Sequence, residues 1–261
     1  IFVDLKDKNK LKKSLRNKSF HYVINASGYI DHGDMNQNGE IIIYNHFIGL
    51  LNLVSCLDKK KLKCFINIGS SDEYGDNKSP QKETYRENPF SPYSFSKLAS
   101  NYFLKMMNQS NNFPVSIIRF FLVYGPNQKT NRLIPYVIKN SLLNKKYFVS
   151  KGNQIRNFLY IDDATDAIFA VIQRSKHNGE IYNIGSSKNY KVNDIIKKIN
   201  KIIPGGKKIL TNTKKRKNEN LSLYPCLKKT NKIIKWKEKI NADDGLQKTI
   251  KFYRSYYERQ R

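Results

Sequence analysis

Tyr93 and Lys97 are the residues whose spacing most directly implies chemistry. Four residues apart on a helix they share one face, where an ammonium lowers the pKa of a phenol and makes it usable as acid and base near neutral pH. The pair alone is not specific, because Tyr-x-x-x-Lys occurs four times, at Tyr74/Lys78, Tyr93/Lys97, Tyr147/Lys151 and Tyr224/Lys228. Context separates them. Tyr74 and Tyr224 run into turn-forming or Pro-containing sequence, and Tyr147 lies in a strand-like piece ended by Gly152. Only Tyr93 opens a long helical pattern, introduced by Ser91-Pro92 and lying downstream of an apolar run that ends in Ser70-Ser71. Asp72 and Glu73 follow those serines, and on residue type alone they read as solvated loop carboxylates or helix-start residues.

The elements that must position this pair follow from the alternation of short apolar runs with amphipathic stretches. Residues 21–26 read as a strand ending in a small-residue turn, Ser27-Gly28, and residues 41–57 as a helix. Residues 64–69 are a second buried strand, 93–107 a helix, and 115–121 a third strand stopped by Tyr124-Gly125-Pro126. Strand, helix, strand, helix, strand is the pattern of a doubly wound parallel α/β sheet, where ligands sit beyond the carboxyl ends of the strands. The later half is mixed: helices over 133–143, 164–173, 193–203 and 243–257, a short strand over 158–161, and a basic exposed loop over 207–220. Asp162-Asp163 reads as a helix cap.

With these motifs in order, the sequence resembles the extended short-chain dehydrogenase/reductase family, in particular its nucleotide-sugar epimerases, dehydratases and reductases. Asp4-Leu5 resembles the Asp-Leu that contacts adenine, and residues 23–28 resemble the strand and turn, Ala26-Ser27-Gly28, that pass the cofactor's pyrophosphate and ribose. Asn45 and Gly49 match the Asn-x-x-x-Gly of the next helix. Residues 68–75 match the active-site strand, in which the catalytic Ser or Thr lies four residues before Tyr-Gly; that rule selects Ser70. Residues 119–126, 152–163 and 182–185, with Trp236 and Gly245-Leu246, complete the series.

The resemblance implies a Rossmann-type sheet carrying NAD or NADP, with a smaller mixed α/β lobe for a nucleotide-diphosphate sugar. It implies boundaries of 1–123 with 155–184 for the dinucleotide domain, and 124–154 with 185–261 for the sugar lobe. Tyr93 would exchange a proton with the sugar 4-hydroxyl or 4-keto oxygen, and Ser70 would hydrogen-bond the same oxygen. Lys97 would bind the nicotinamide ribose and depress the Tyr93 pKa. Ser71, Leu122 and Arg156 fall at substrate positions, Arg156 gripping the diphosphate with its planar fork of donors. The expected activity is oxidoreduction at C4 of a nucleotide-activated hexose, as a 4-keto-6-deoxysugar reductase or an epimerase serving surface polysaccharide. A 4,6-dehydratase is the alternative, with Asp72 as auxiliary acid or base. A non-catalytic nucleic-acid-binding relative is the remote one.

Departures from the pattern carry expectations of their own. The Gly-rich GxxGxxG turn that cradles a cofactor pyrophosphate is absent, so the chain reads as lacking the first strand–helix unit and is expected to bind dinucleotide poorly. Leu122 stands where many relatives carry Asn. Composition bounds the rest. At 261 residues, 39% hydrophobic and 26% charged, the chain is neither disordered nor low-complexity. No run of about 18 apolar residues suggests a membrane span. Three cysteines without metal or disulfide spacing fit a reducing cytoplasm. The scattered His21, His32, His46 and His177 give no metal site. The net charge of +27 invites a nucleic-acid reading. Lys and Asn rising together match instead an A+T-rich coding sequence written on a solvated surface, and no nucleic acid, no membrane and a homodimer are expected.

Overall fold

The computed structural model describes residues 2–31, 33–210 and 220–259. His32 and most of the basic 207–220 segment lie outside the described residues. In chain order the elements are α1 (Lys8–Leu15), β1 (Tyr22–Asn25), α2 (Met35–Cys56, a helix with π-type turns), β2 (Cys64–Ser70) and a short 3₁₀ turn (Ser71–Tyr74). They continue through α3 (Pro92–Asn111), β3 (Val115–Phe120), β4 (Leu122–Tyr124), α4 (Leu133–Leu142), β5 (Lys146–Val149), β6 (Ile155–Tyr160) and α5 (Ile161–Arg174). The remainder comprises β7 (Asn178–Ile184), β8 (Asn189–Lys191), α6 (Val192–Ile202), β9 (Lys207–Leu210), β10 (Ser222–Leu223) and α7 (Ala242–Glu258).

Strands β1, β2, β3 and β7 form a parallel four-stranded sheet in that order. Its two faces follow from the period of two along each strand. Phe65, Ile117 and Ile181 point to one side, packing with Leu50, Val54 and Leu104 of α2 and α3. Ile66, Ile118 and Tyr182 point to the other, against Ala164, Ala167 and Val171 of α5. Both faces are thus covered at β2 and β3, which is why those two strands read as continuous apolar runs; at the edge strand β1, Tyr22 and Ile24 stay exposed. The doubly wound Rossmann-type class expected from the alternation is the observed one.

The chain leaves this sheet at Phe121, whose N–H bonds the Ile184 carbonyl at 3.1 Å. From there β4 pairs with β6, which also pairs with β10 and, antiparallel, with β8. Residues 155–160, placed by sequence with the dinucleotide domain, therefore pair within a second sheet. That sheet shares a core with α4, α6 and α7 through Ile134, Val137, Phe158, Ile195, Ile199, Leu246 and Ile250. The basic segment also begins differently from the expected loop, since its first four residues form β9 beside β5.

Helix α2 is long and apolar enough by composition to cross a membrane, a property the residue-by-residue reading did not anticipate. Among its buried residues Ile42, His46, Leu50 and Val54 recur every four positions, the stripe of a helix packed on a sheet.

Candidate active site

Ser70 is the last residue of β2, and Ser71–Tyr74 turns away from the strand end at once. The Ser70 hydroxyl accepts the Asp72 N–H at 3.2 Å, and Glu73 reaches back to accept the Ser70 N–H at 2.8 Å. This reciprocal capping box fixes the turn. Helix α3 starts on the same side: Ser91 and Ser94 cap one another, Pro92 occupies the first turn, and Tyr93 follows, buried. The Ser70 side chain hydrogen-bonds the Tyr93 phenol. One turn on, Lys97 is also buried, with its Nζ 6.0 Å from the Tyr93 ring centroid and donating to the Ile68 carbonyl at 2.9 Å. The three residues expected from sequence are brought together.

Their electrostatics correct one expectation. The Tyr93 phenol is pushed above its ordinary value, first by burial and then by the Asp72 carboxylate; the Ser70 hydrogen bond and the Arg132 guanidinium pull the other way. Lys97, whose ammonium donates to the Ile68 carbonyl, is not among the largest influences on it, and the expected depression does not prevail. Lys97 is itself lowered to about 8 by burial, against the opposing charge of Glu73.

Glu73 is a helix-start residue, as one of its two expected readings had it, but it is fully buried rather than solvated. Its Oε1 holds Ser70, while its Oε2 accepts from Asn101 Nδ2 at 2.7 Å and Arg119 Nε at 2.6 Å. Arg119, equally buried, reaches Glu87 with Nη2 at 2.6 Å. From Asn101 a ladder runs back across the sheet. Asn67 donates to Asn101, Asn25 donates to Asn67, each at 2.8 Å, and Ser27 donates to Asn25 at 2.6 Å. The polar ladder therefore joins the turn at the end of β1 to the Ser70 end of β2. Asp72 stays half-buried, close enough for its charge to be felt at Tyr93.

The other expected residues are placed as follows. Ala26 and Gly28 are exposed and Ser27 half-buried at the carboxyl end of β1, with Gly28 at φ +106°. Asn45 donates to the Ile41 carbonyl at 2.8 Å and to the Tyr29 hydroxyl at 3.3 Å. Asp4 is exposed and paired with Lys6, and the Leu5 carbonyl accepts from Asn52 at 2.9 Å. Ser71 is buried. Leu122 and Arg156 lie apart from the serines by element, on neighbouring strands β4 and β6 of the second sheet, and Arg156 donates to the Ile155 carbonyl at 2.9 Å. Asp163 is no helix cap: buried, it accepts the N–H groups of Lys239 and Ile240 at 3.0 and 2.9 Å.

Two residues near Tyr93 escaped the sequence reading. Arg132 is one. The other is His46, whose ring meets the Tyr93 ring edge-on at 5.2 Å and fills the space that a Cβ at Gly28 would need. Burial and the Lys97 charge lower its pKa to about 4. Its place in the four-residue stripe of α2 was the available signal of burial.

Residues 1–185 match the family described as NAD dependent epimerase/dehydratase. The chain belongs to this family. Among curated relatives, dTDP-D-glucose 4,6-dehydratase of Homo sapiens is 31% identical over 223 residues, covering 82% of this chain and 63% of that protein. A Bacillus subtilis protein described as the uncharacterized UDP-glucose epimerase YtcB is 28% identical over 210 residues, covering 80% and 66%. The chain thus spans just under two thirds of the length of these relatives. Among solved structures, UDP-glucuronic acid 4-epimerase from Bacillus cereus, in complex with UDP-glucuronic acid and NAD, superposes with a TM-score of 0.87 at 25% identity. That match covers 98% of this chain and 81% of that one.

Proposed function

We propose that this epimerase/dehydratase family member carries out NAD(P)-dependent oxidoreduction at C4 of a nucleotide-activated hexose. The hydrogen-bonded Ser70–Tyr93 pair, with Lys97 one turn away at the carboxyl edge of a parallel sheet, carries the proposal. The residues present fit the nicotinamide-ribose half of a dinucleotide. The turn Ala26-Ser27-Gly28 is built of small residues, with Ala26 and Gly28 exposed, and an ammonium has three donors, of which the Ile68 carbonyl takes one at Lys97. Asp4, Leu5 and Asn45 complete the proposed contact set.

When bound, the nicotinamide supplies a two-electron hydride acceptor or donor. Tyr93 gives a proton to the 4-keto oxygen during reduction, a role its raised pKa already suits, or takes it from the 4-hydroxyl during oxidation. Ser70 holds that oxygen, and Arg156 and Ser71 lie on the substrate side. The Asp72 charge felt at Tyr93 favours one second reading, a 4,6-dehydratase in which Asp72 moves a proton at the neighbouring carbons. The free thiols of Cys56, Cys64 and Cys226 support a reducing, cytoplasmic setting, and the same proposal includes a homodimer and a product used in surface polysaccharide.

The test is a panel of CDP-, GDP-, UDP- and dTDP-hexoses and their 4-keto-6-deoxy derivatives with NAD(P)(H). Tyr93→Phe is expected to lower turnover at least about 100-fold while leaving dinucleotide affinity within threefold or so; retained turnover sinks the assignment. A C4 epimer, net NAD(P)H consumption, or a 4-keto-6-deoxy product without net consumption identifies the epimerase, reductase and dehydratase respectively.

A further inference from the structure

Glu73 had no expected role, yet it has the most completely engaged carboxylate around the site. Its two oxygens divide their work: Oε1 takes the Ser70 N–H, and Oε2 takes Asn101 and Arg119. Space for it has been left in the sequence. A Cβ on Gly69 would lie 2.6 Å from Oε1 and 3.1 Å from Asn101 Nδ2, so any side chain at 69 would displace the carboxylate. The anchor behind it is stiff, because Arg119 is itself pinned to Glu87 and stacked 4.5 Å from the Tyr74 ring centroid. Asn101 is held in turn by Asn67.

Ser70 needs such an anchor. It ends a strand, and its hydroxyl must meet the Tyr93 phenol while also receiving the Asp72 N–H. A hydroxyl on a one-carbon stem has little reach, so its position is set by its backbone. Among the described residues, the side-chain group bonded to that backbone N–H is the Glu73 carboxylate.

We propose that Glu73 is a positioning residue for the proposed C4 chemistry: clamped by Asn101 and Arg119, it holds the Ser70 backbone so that the hydroxyl stays bonded to Tyr93. The inference rests on the catalytic reading of Ser70 and Tyr93 given above. It predicts more than a stabilising ion pair would, because the acceptor toward Ser70 matters apart from the charge.

Glu73→Gln and Glu73→Met separate the two. Both remove the negative charge, while only Gln keeps an oxygen; Arg119→Leu with Glu87→Gln is added to both, so that the guanidinium does not draw that oxygen away from the Ser70 N–H and no buried charge is left unpaired. The first readout needs no substrate: ultraviolet difference titration of each variant against its own Tyr93→Phe counterpart. A hydroxyl bonded to the phenolate favours ionisation, so Tyr93 is expected to ionise at lower pH in Glu73→Gln than in Glu73→Met. Equal values overturn the proposal whether or not the protein turns over any sugar. The second readout is kinetic. Glu73→Met is expected to lower kcat tenfold or more with KM within about threefold, and Glu73→Gln to recover most of the loss. Equal kcat in the two variants also overturns it. If Glu73→Met does not fold, Glu73→Leu replaces it in the same comparison, again an apolar side chain with no oxygen for the Ser70 N–H. Absence of turnover with every sugar of the panel, in protein shown to bind NAD(P), would overturn the proposed function, while the titration would still decide the role of Glu73.

Discussion

At the scale of single residues, the chemistry turns on where Tyr93 keeps its proton. Burial and the Asp72 carboxylate both disfavour the phenolate, so in the ligand-free protein the phenol stays protonated beyond its ordinary value of 10.0. A wild-type minus Tyr93→Phe difference titration is expected to show no phenolate signal below that pH; a transition near neutrality would contradict the geometry described. Asp72→Asn removes the charge that raises the pKa and is expected to move the ionisation down, toward 10. The identity of the pair was legible in the sequence because helical spacing and a Ser-Pro helix start are local. Its protonation was not, because it depends on burial and on a carboxylate from a different element. Glu73 escaped for the same reason. Its burial is tolerable only with Arg119, 46 positions away, and nothing beside it in sequence announces that partner.

At the scale of elements, the strand ends do the positioning and the helices hold them. Ser70 pairs in register with Phe120, and the chain changes sheets directly afterwards, into β4 and its partner β6, which carries the proposed substrate residue Arg156. The sequence showed three strands of the first sheet, β1, β2 and β3, as short apolar runs, but not β7, whose Asn, Gly and Glu break the run. It did not show that β6 belongs to a second sheet, because a parallel strand buried in either sheet has the same pattern. Asp163 illustrates a similar limit. Two acidic residues at a helix start look like a cap, but the carboxylate is spent on Lys239 and Ile240, tying the segment before α7 to α5. Removing it leaves two N–H groups without their charged acceptor, at about 1–3 kcal/mol for each group left unsatisfied. Asp163→Ala is therefore expected to lower the unfolding free energy by about 2–4 kcal/mol in a denaturant titration, and Asp163→Asn by roughly half as much. A loss below about 0.5 kcal/mol, the size of an ordinary surface change, would show that the segment is held by its apolar contacts alone.

At the scale of the whole molecule, the surface carries two features of different meaning. The charge of +27 is spread through Lys-rich stretches along the sequence, and both proposed ligands are anionic, so it serves capture without choosing a partner. The apolar exposure is more specific. Phe95, Tyr102 and Met106 stand exposed on α3 at spacings of seven and four, which is one helical stripe, and Ile41 and Tyr44 are exposed on α2. The two helices pack together, with Phe47 and Phe103 ring to ring at 6.5 Å. Large side chains at regular spacing on adjoining helices form the kind of surface that a second copy covers, and a stable self-association needs about 800 Å² from each partner. Helix α3 also begins with Tyr93, so a partner seated on it would brace the helix that carries the acid-base pair. Sedimentation of the wild-type protein is expected to give a dimer at micromolar concentration. Phe95→Glu with Met106→Glu places two unpaired carboxylates in that interface and is expected to give a folded monomer with an unchanged circular dichroism spectrum. A wild-type monomer, or a dimer indifferent to both substitutions, would remove α3 from the interface.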